Sequence, residues 1–442
     1  MAGSVFDSAL FGDLFPTGEV GRLFTDTAEV RAMLLVEGTL AKIQGQMGLI
    51  PEISAQAIHR ASLELQIDPA GLRAATGANG VSVPGLVSAF RDLMQAPEHA
   101  QYAHWGATSQ DIIDTALMLR LRQALSLIEK DLAETLSTLA TLAETHAETP
   151  MAARTFGQYA TPTSFGAVVA SWGQPLLTLL RELPDLRTSC LLVSLSGAAG
   201  TASALGPDAA ALRAKLAEGL RLQDPGRTWH TDRTPVLKIA DWLTRLCLSL
   251  AKIGEDAIQM AQSGISEVFL GGVGASSTMP QKQNPVAPST LVALANQAHG
   301  LNSILQGASV HRHQRDGASW FTEWMSLPQI VLSAASAVWI ANTLSQSLTP
   351  RADTMLDPVQ EGLGLIHAEA LSFALAAHMP RPDAQARVKT LCAEAMATQT
   401  HLRDLVTDQH PELETATLFQ ATEQLGTAPT EARSFTRQVR AI

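Results

Sequence analysis

Residues 234–260, TPVLKIADWLTRLCLSLAKIGEDAIQM, carry the pattern from which the architecture follows. The apolar residues of this stretch advance by three and four residues in turn, and this heptad spacing indicates a long helix that packs against other long helices. Thr234 is a favoured N-cap residue and Pro235 a favoured first residue, so we predict that the helix begins here. The spacing predicts nearly parallel, left-handed packing. The residues of this seam are Val236, Ile239, Leu243, Leu246, Leu250, Ile253, Ala257 and Met260.

A second helix of similar character is predicted upstream. Thr108, followed three residues later by Asp111, has the form of a capping box, and apolar residues then continue at helical spacing as far as Leu142. They imply a helix of about 35 residues, whereas the mean length is about 11–12. Pro150 ends this helix. Helices of this length indicate a helical bundle.

Shorter helical patterns fill most of the remaining chain, and no stretch shows the alternation of a convincing strand. The predicted helices cover residues 25–47, 51–65, 285–304, 328–344, 358–378 and 384–396. We therefore predict an all-α protein with three helical domains arranged around a long central helical bundle. The predicted divisions are an N-terminal helical domain at 1–105, the central bundle at 106–348 and a C-terminal helical domain at 349–442.

Composition excludes several classes of protein. The formal net charge is −11 and the basic residues form no patch, so a nucleic-acid partner is not expected. Cys190, Cys247 and Cys392 are widely spaced, which favours buried reduced thiols over disulfides or a zinc site. The chain shows neither a signal peptide pattern nor a run of about 20 apolar residues. We therefore expect a cytoplasmic protein without a membrane partner.

The stretch 271–288, GGVGASSTMPQKQNPVAP, is the strongest candidate for a functional loop. Its glycines permit backbone conformations that other residues avoid, and Ser276, Ser277 and Lys282 supply two hydroxyls and a cation. Asn284 and Pro285 suit the N-cap and the first residue of a following helix, whose N-terminus favours anions. These residues predict a site for a carboxylate. The alternative is an ordinary flexible connection between helices, whereas a phosphate-binding loop is disfavoured because its motif is absent.

Three segments together resemble the fumarase/aspartase superfamily. SSTMPQKQNP, at 276–285, is similar to the superfamily's S-S-x-M-P-x-K-x-N-P motif, although Ala275 precedes it where glycine is usual. HWGATSQDIIDTA, at 104–116, resembles its H-x-G-x-T-S-x-D-x-x-D-T segment, and ARTFGQYATPTSFG, at 153–166, resembles its R-T-x-x-Q-x-A-x-P-x-T-F-G segment. The resemblance implies a homotetramer with a core of long helices, active sites assembled from three subunits, and catalysis without a cofactor.

The resemblance also implies roles for individual residues. The superfamily's common reaction is a reversible β-elimination in which a base removes a proton next to a carboxylate. Ser276 occupies the position of that base, Lys282 would assist it, and Ser277 is the fallback. Taken alone, Thr108 and Ser109 are also interpretable as simple helix caps. The residues expected to bind a small anionic carboxylate or polycarboxylate substrate are His104, Thr108, Ser109, Arg154, Thr155, Gln158, Asn284, Arg315 and Trp320.

Phe156 narrows the expected reaction. Many members of the superfamily have histidine at this position, where it transfers a proton at the leaving group, and phenylalanine cannot do so. A carboxylate leaving group needs no acid, because its pKa is near 4. Segment 313–324, HQRDGASWFTEW, resembles the R-D-x-x-x-W-x-x-E-W segment of the bacterial 3-carboxy-cis,cis-muconate cycloisomerases. Both features favour the cycloisomerase branch, in which a carboxylate of the substrate itself closes a lactone.

Other interpretations of segment 313–324 stay open. Trp320 and Trp324 are also typical of helix packing, and Arg315 could pair with Asp316 or Glu323 instead of binding an anion. His311 and His313 alone are too few ligands for a metal, so no metal site is expected.

The expected reaction is closure of 3-carboxy-cis,cis-muconate to 4-carboxymuconolactone, with Ser276 transferring the proton. The same closure on a 3-sulfomuconate, an adenylosuccinate-type lyase that releases fumarate, and a non-catalytic helical scaffold are the alternatives.

Overall fold

The computed structural model describes residues 3–271, 274–275, 279, 282–360 and 362–442. The α-helices are α1 Gly18–Arg22, α2 Asp26–Gln46, α3 Glu52–Glu64, α4 Arg73–Asn79, α5 Val83–Met94, α6 Pro97–Ala100, α7 Ser109–Thr145, α8 Phe165–Cys190, α9 Ala209–Leu220, α10 Thr234–Met260, α11 Val286–Gly307, α12 Gly317–Ser347, α13 Ala352–Gln360, α14 Ala368–Ala376, α15 Arg381–Thr398, α16 Leu402–Gln409, α17 Thr415–Leu418 and α18 Ala428–Arg440. The strands are β1 Pro150–Thr155, β2 Gln158–Ser164, β3 Val268–Leu270, β4 Gly274–Ala275, β5 Gln283–Asn284 and β6 Leu348–Pro350. Short 3-10 helices lie at Val5–Asp7, Pro69–Leu72, Ser203–Leu205, Leu365–His367 and Ala421–Gln424.

The chain divides into two compact units. The first comprises Met1–Asp131, Leu179–Leu248 and Ala293–Trp339, and the second comprises Leu132–Thr178, Ser249–Val292 and Ile340–Ile442. The predicted division into three helical domains stays a prediction.

The predicted long helices are present. Helix α7 has 37 residues and α10 has 27, and every residue of the predicted seam on α10 is buried. The capping box at the start of α7 is half formed, since the Thr108 amide donates to Asp111 Oδ2 at 3.1 Å. Helix α10 begins at Thr234 itself, one residue before the predicted start. The all-α prediction is confirmed, because strands contribute only short pieces to the described chain.

In the first unit, two glycines on α2 allow α3 to approach closely. A Cβ atom at Gly45 would lie 2.3 Å from the Ala55 side chain, and one at Gly38 would lie 1.8 Å from Ser62 Oγ. A Cβ atom at either position would collide with these small side chains, so the backbone of α2 packs directly against the side chains of Ala55 and Ser62 on α3. This close packing fixes α2, which carries the buried carboxylate of Glu37.

The prediction that no strand is present was wrong for residues 150–164. Strands β1 and β2 pair antiparallel, with Met151 opposite Thr163 and Thr155 opposite Gln158. The register shifts between Ala152 and Arg154, as at a β-bulge, and this irregularity interrupts the two-residue alternation by which a strand is recognised.

Two predicted helix boundaries near proline were also wrong. Helix α12 begins at Gly317 and continues through Pro328, which was expected to start it. The Asp316 carboxylate accepts the Ala318 amide at 2.9 Å and so caps the helix eleven residues earlier than predicted. The predicted helix 358–378 is divided into α13 and α14, and Gly364, at φ +72°, lies in the break.

Helix α12 is long and apolar enough to cross a membrane, a property that the sequence interpretation did not flag. Its most apolar window has a mean hydropathy of 1.4, and 67% of that window is buried inside the protein. This burial is what a core helix of a bundle requires.

The cysteines agree in part with the expectation of buried thiols. Cys190 and Cys247 are buried and Cys392 is half-buried, and all three are free. Burial raises the pKa of the Cys247 thiol to about 12, so this group stays protonated and unreactive.

Candidate active site

The N-terminus of α7 is held rigidly by one buried carboxylate. Asp111 Oδ2 accepts the amides of Thr108 at 3.1 Å and Gly197 at 2.9 Å. Asp111 Oδ1 accepts the Ser196 amide at 2.9 Å and lies 2.9 Å from His230 Nε2. Thr108 and Ser109 therefore stand at a fixed helix N-terminus, where the partial positive charge of the helix favours an anion.

A cavity of about 340 Å³ opens beside this N-terminus. It is lined by Val83, Pro84, Val87, Ser88, Arg91, Asp92, His104 and Ser109. His104 and Ser109 were predicted to bind substrate, and the structure brings them to one cavity. Ser88 and Arg91 were not predicted, because they lie on α5 outside the three motifs. Arg91 donates to the Ala103 carbonyl at 2.8 Å.

His104 is oriented by a buried partner that sequence reasoning also missed. Its Nδ1 lies 2.6 Å from Glu37 Oε1, and the Glu37 side chain is only 2% exposed. Burial by itself lowers the pKa of His104, but the charge of Glu37 and its hydrogen bond outweigh that effect and raise the pKa above the ordinary value. A protonated His104 adds positive charge to the wall of the cavity. The sequence could have indicated Glu37 only as an acidic residue among the apolar residues of α2, on a face that the structure shows to be buried.

Arg315 is held by neutral groups. Its Nε donates to Gln110 Oε1 at 2.7 Å, its Nη2 donates to the Ala198 carbonyl at 3.4 Å, and its guanidinium lies 6.0 Å from the centre of the Trp320 ring. Within the described residues no carboxylate is recorded as its partner. An oriented guanidinium without a counter-ion suits an anionic substituent.

The alternative pairing of Arg315 with Asp316 or Glu323 was wrong. Asp316 binds Arg312, and this contact with three backbone amides holds the pKa of the Asp316 carboxyl well below its usual range. Glu323 is bonded to Arg233 instead. Trp320 is almost fully buried, as helix packing requires, and its ring still lies next to Arg315.

Arg233, fully buried, is clamped between two carboxylates. It donates to Glu323 at 2.9 and 2.7 Å and to Asp114 at 2.8 and 3.1 Å. Burial lowers the pKa of Arg233, yet the two carboxylates outweigh it and raise the pKa above its ordinary value. Burial also raises the pKa of Glu323. Because the Gln110 amide donates to Asp114 Oδ2 at 3.1 Å, this cluster supports the residue that orients Arg315.

A tight hairpin presents the second predicted group of residues. Phe156, at φ +52°, and Gly157, at φ +73°, form a two-residue turn of type I′, with Thr155 opposite Gln158 at its base. Phe156 is fully exposed at the tip, and Thr155 and Gln158 are exposed beside it. Arg154 is bonded through two nitrogens to the buried Glu267.

Of the loop at 271–288, the structure describes residues 271, 274–275, 279 and 282–288. Strands β4 and β5 pair Gly274 with Asn284 and Ala275 with Gln283. Lys282 is exposed, and its amide donates to the Met279 carbonyl at 3.0 Å. Helix α11 begins at Val286, so the prediction of Asn284 as its cap and Pro285 as its first residue was wrong. Asn284 is extended in a strand, and the Pro285 carbonyl accepts the Ser289 amide at 3.1 Å. Ser276 and Ser277 lie outside the described residues.

The predicted site residues therefore fall into two groups. His104, Thr108, Ser109, Arg315 and Trp320 belong to the first compact unit. Arg154, Thr155, Gln158, Lys282 and Asn284 belong to the second. Each group combines cationic and hydrogen-bonding side chains, as binding of a polyanionic molecule requires.

Comparison with known proteins identifies the family. A family model described as lyase matches residues 20–300. The chain belongs to this lyase family. The chain is also similar to a 3-carboxy-cis,cis-muconate cycloisomerase of Pseudomonas putida, with 36% identity over 404 residues, or 90% of this chain and 96% of that protein. The predicted superfamily is thereby confirmed.

Two further relatives extend the comparison. The crystal structure of the 3-carboxy-cis,cis-muconate lactonizing enzyme from Pseudomonas putida matches with a TM-score of 0.90 and 33% identity, over 98% of this chain and 99% of that chain. A nitrosuccinate lyase of Streptomyces davaonensis is 33% identical over 445 residues, which cover 96% of this chain and 94% of that protein. The fold of the lactonizing enzyme is thus shared along nearly the whole chain.

Proposed function

We propose that the protein is a cycloisomerase that closes 3-carboxy-cis,cis-muconate to 4-carboxymuconolactone. The observation that carries this proposal is Phe156, a side chain unable to transfer a proton, at the tip of the hairpin between Thr155 and Gln158. When a carboxylate is the group that adds or departs, no acid is needed there. The likeness to the muconate cycloisomerases supports the same reaction.

In this mechanism a carboxylate of the substrate adds to the conjugated double bond and closes the five-membered lactone. Negative charge develops next to a second carboxylate, where Lys282 and Asn284 stabilise it. Ser276 then donates a proton to carbon, and in the reverse direction it removes that proton. Ser277 is the fallback for this role, and both assignments stay predictions from the motif.

The remaining residues bind the three carboxylates. Thr108, Ser109 and His104 supply a helix N-terminus and a cationic imidazole, and Thr155 with Gln158 supplies hydrogen bonds from the hairpin. Arg315, which has neutral partners in the structure, binds the substituent on C3. A sulfonate carries the same charge as a carboxylate at this position, so a 3-sulfomuconate is the nearest alternative substrate.

The proposal includes a homotetramer in which different chains complete each active site, and a cytoplasmic location. The resemblance to the fumarase/aspartase superfamily supports this assembly. Gel filtration with light scattering tests the assembly, and a monomer at micromolar concentration would contradict it.

Four activity assays, run side by side, test the substrate. Two of them follow the loss of the diene's ultraviolet absorbance, one with 3-carboxymuconate and one with 3-sulfomuconate. The other two measure the release of fumarate from adenylosuccinate and the release of nitrite from nitrosuccinate. We expect kcat/KM of at least about 10⁴ M⁻¹s⁻¹ on 3-carboxymuconate, which is the lower part of the usual enzyme range. Faster turnover of either non-diene substrate would overturn the proposal, and no turnover of any would favour a non-catalytic scaffold. The nitrosuccinate assay is included because nitrite, like a carboxylate, leaves as a stable anion.

The Glu37–His104 pair makes the binding step pH-dependent. Because Glu37 raises the pKa of His104, the cationic form persists above the ordinary pKa of about 6.5 and is lost as the pH rises through the raised value. We expect KM to increase over that window while kcat stays nearly constant. Glu37→Gln removes the charge that opposes burial most strongly and leaves only the weaker effect of Asp111, so the KM of this variant should begin to rise at lower pH.

Glu98→Gln is the matched control for this prediction, since Glu98 is exposed and 3.8 Å from His99. Its KM profile should coincide with that of the wild type. Superimposed profiles for Glu37→Gln and the wild type would remove His104 from the binding site.

A further inference from the structure

Arg154, on strand β1 of the hairpin, forms a two-bond ion pair with the buried Glu267. Arg154 Nη1 donates to Glu267 Oε2 at 2.9 Å, and Nη2 donates to Oε1 at 2.7 Å. The Glu267 side chain is 1% exposed and that of Arg154 is 23% exposed. Both carboxylate oxygens are thus used by one guanidinium, in the bidentate geometry that is strongest for this pair of groups.

Glu267 is fixed by its backbone as well. Its amide donates to the Met260 carbonyl at the end of α10 at 2.8 Å, and its carbonyl accepts the Arg351 amide at 2.8 Å. The next residue, Val268, begins β3, which pairs with β6. The carboxylate therefore stands on an anchored segment and cannot follow a ligand that enters or leaves.

Arg154 in turn is not free to bind a substrate anion. The hydrogen bond that Arg154 donates to Glu267 is the main reason that the pKa of Arg154 is raised, and the guanidinium also lies 5.1 Å from the centre of the Tyr159 ring. Moving Arg154 to a substrate would leave the Glu267 carboxylate buried and unpaired, which is costly. The register shift before Arg154 belongs to the same local arrangement of the strand.

We propose that Arg154, through Glu267, is a positioning residue that fixes Thr155 and Gln158 and does not itself bind substrate. The step from the ion pair to these residues is short. Arg154 precedes Thr155 in β1, and its cross-strand partner Tyr159 follows Gln158 in β2. The ion pair therefore holds the Arg154–Tyr159 rung, which lies directly next to the Thr155–Gln158 rung at the turn. This inference rests on the proposed function in one respect, that Thr155 and Gln158 contact the substrate.

The kinetic test compares Arg154→Met, Glu267→Gln and the exchange variant R154E/E267R. Positioning predicts that both single variants lower kcat/KM by a similar factor, of about 10²-fold, because a displacement of about 1 Å has an effect of that size. The loss should appear mainly in KM, since Thr155 and Gln158 bind the substrate in the proposed function. The exchange variant restores the ion pair and should recover most of the loss. Glu148→Gln, which breaks an exposed ion pair with Arg433 in the same unit, is the control and should leave both constants unchanged.

Two kinetic outcomes would overturn the inference. If Arg154→Met raises KM, Glu267→Gln does not, and the exchange variant stays impaired, then Arg154 binds the substrate directly. If the single variants lower the melting temperature without changing KM or kcat, then the pair has only a structural role.

Hydrogen exchange at residues 150–164 separates this inference from the proposed function, since it needs no substrate. Glu267→Gln should accelerate exchange of the hairpin amides at least about tenfold, whereas Glu148→Gln should not. If the wild type turns over no muconate and the hairpin still responds, the proposed function fails and the positioning role stands. Unchanged exchange in Glu267→Gln would overturn the positioning role whatever the substrate proves to be.

Discussion

Ser276→Ala is expected to lower kcat for lactone closure by roughly 10²- to 10⁴-fold, the range that a positioned proton-transferring group contributes. The substitution removes the hydroxyl that delivers the proton to carbon and leaves the cationic and hydrogen-bonding groups that bind the carboxylates. KM should therefore change little. Steady-state loss of diene absorbance measures both constants.

The controls for this prediction are two other serines. Ser289→Ala removes an exposed hydroxyl in the first turn of α11 that donates to the Pro285 carbonyl at 2.8 Å, and it should leave kcat unchanged. Ser277→Ala should have the smaller effect of the two loop variants. If Ser277→Ala is inactive and Ser276→Ala retains full activity, the role passes to Ser277; if both retain full activity, neither serine transfers the proton.

Arg233→Leu is expected to lower the free energy of unfolding by about 3–5 kcal/mol, because removing one partner of a buried ion pair leaves its counterpart uncompensated. Here two buried carboxylates, Asp114 and Glu323, lose their cation together. Unfolding in urea measures the loss. Since Asp114 also holds Gln110, which orients Arg315, KM for the anionic substrate should rise in the same variant.

The sign of the pH dependence provides a second check on Arg233→Leu. Burial raises the pKa of the Glu323 carboxyl in the folded protein above its usual value, and loss of the Arg233 cation removes the charge that opposes this effect. Such groups contribute stability below the unfolded pKa and lose it as the pH rises through the folded pKa. The free energy of unfolding of Arg233→Leu should therefore come closer to that of the wild type as the pH is lowered.

Arg245→Leu is the control, because Arg245 pairs with Glu182 on the surface of the same unit, and it should cost no more than about 1 kcal/mol. If Arg233→Leu also costs no more than about 1 kcal/mol, then Arg233 does not compensate the buried charges of Asp114 and Glu323, and the prediction is wrong.

Much of the architecture could be predicted because it follows from local patterns. The seam on α10 is buried throughout, since a repeat of three and four residues places the same side chains on one face of any helix. Thr108 and Asp111 mark the start of α7 for a similarly local reason, the three-residue spacing of a capping box. The motifs at 104–116, 153–166 and 276–285 were sufficient to assign the superfamily.

Local patterns failed where a tertiary contact replaced them. Pro328 was predicted to start a helix, but Asp316 caps α12 upstream and carries the helix through it. The hairpin at 150–164 was missed because its irregular register breaks the alternation of the strand. The sequence left open a pairing of Arg315 with Asp316 or Glu323, but its partner in the structure is Gln110, 205 residues away.

The sequence by itself determined the helical architecture, the superfamily and the chemical types of the site residues, because all three depend on spacing within short segments. Only the tertiary structure decided which charges are available. Arg233 and Arg154 are neutralised by buried carboxylates, Arg315 is held by neutral groups, and Glu37 charges His104. These partners come from distant parts of the chain. Their contacts depend on how helices and strands pack together, and the spacing of residues within a single segment does not predict that packing.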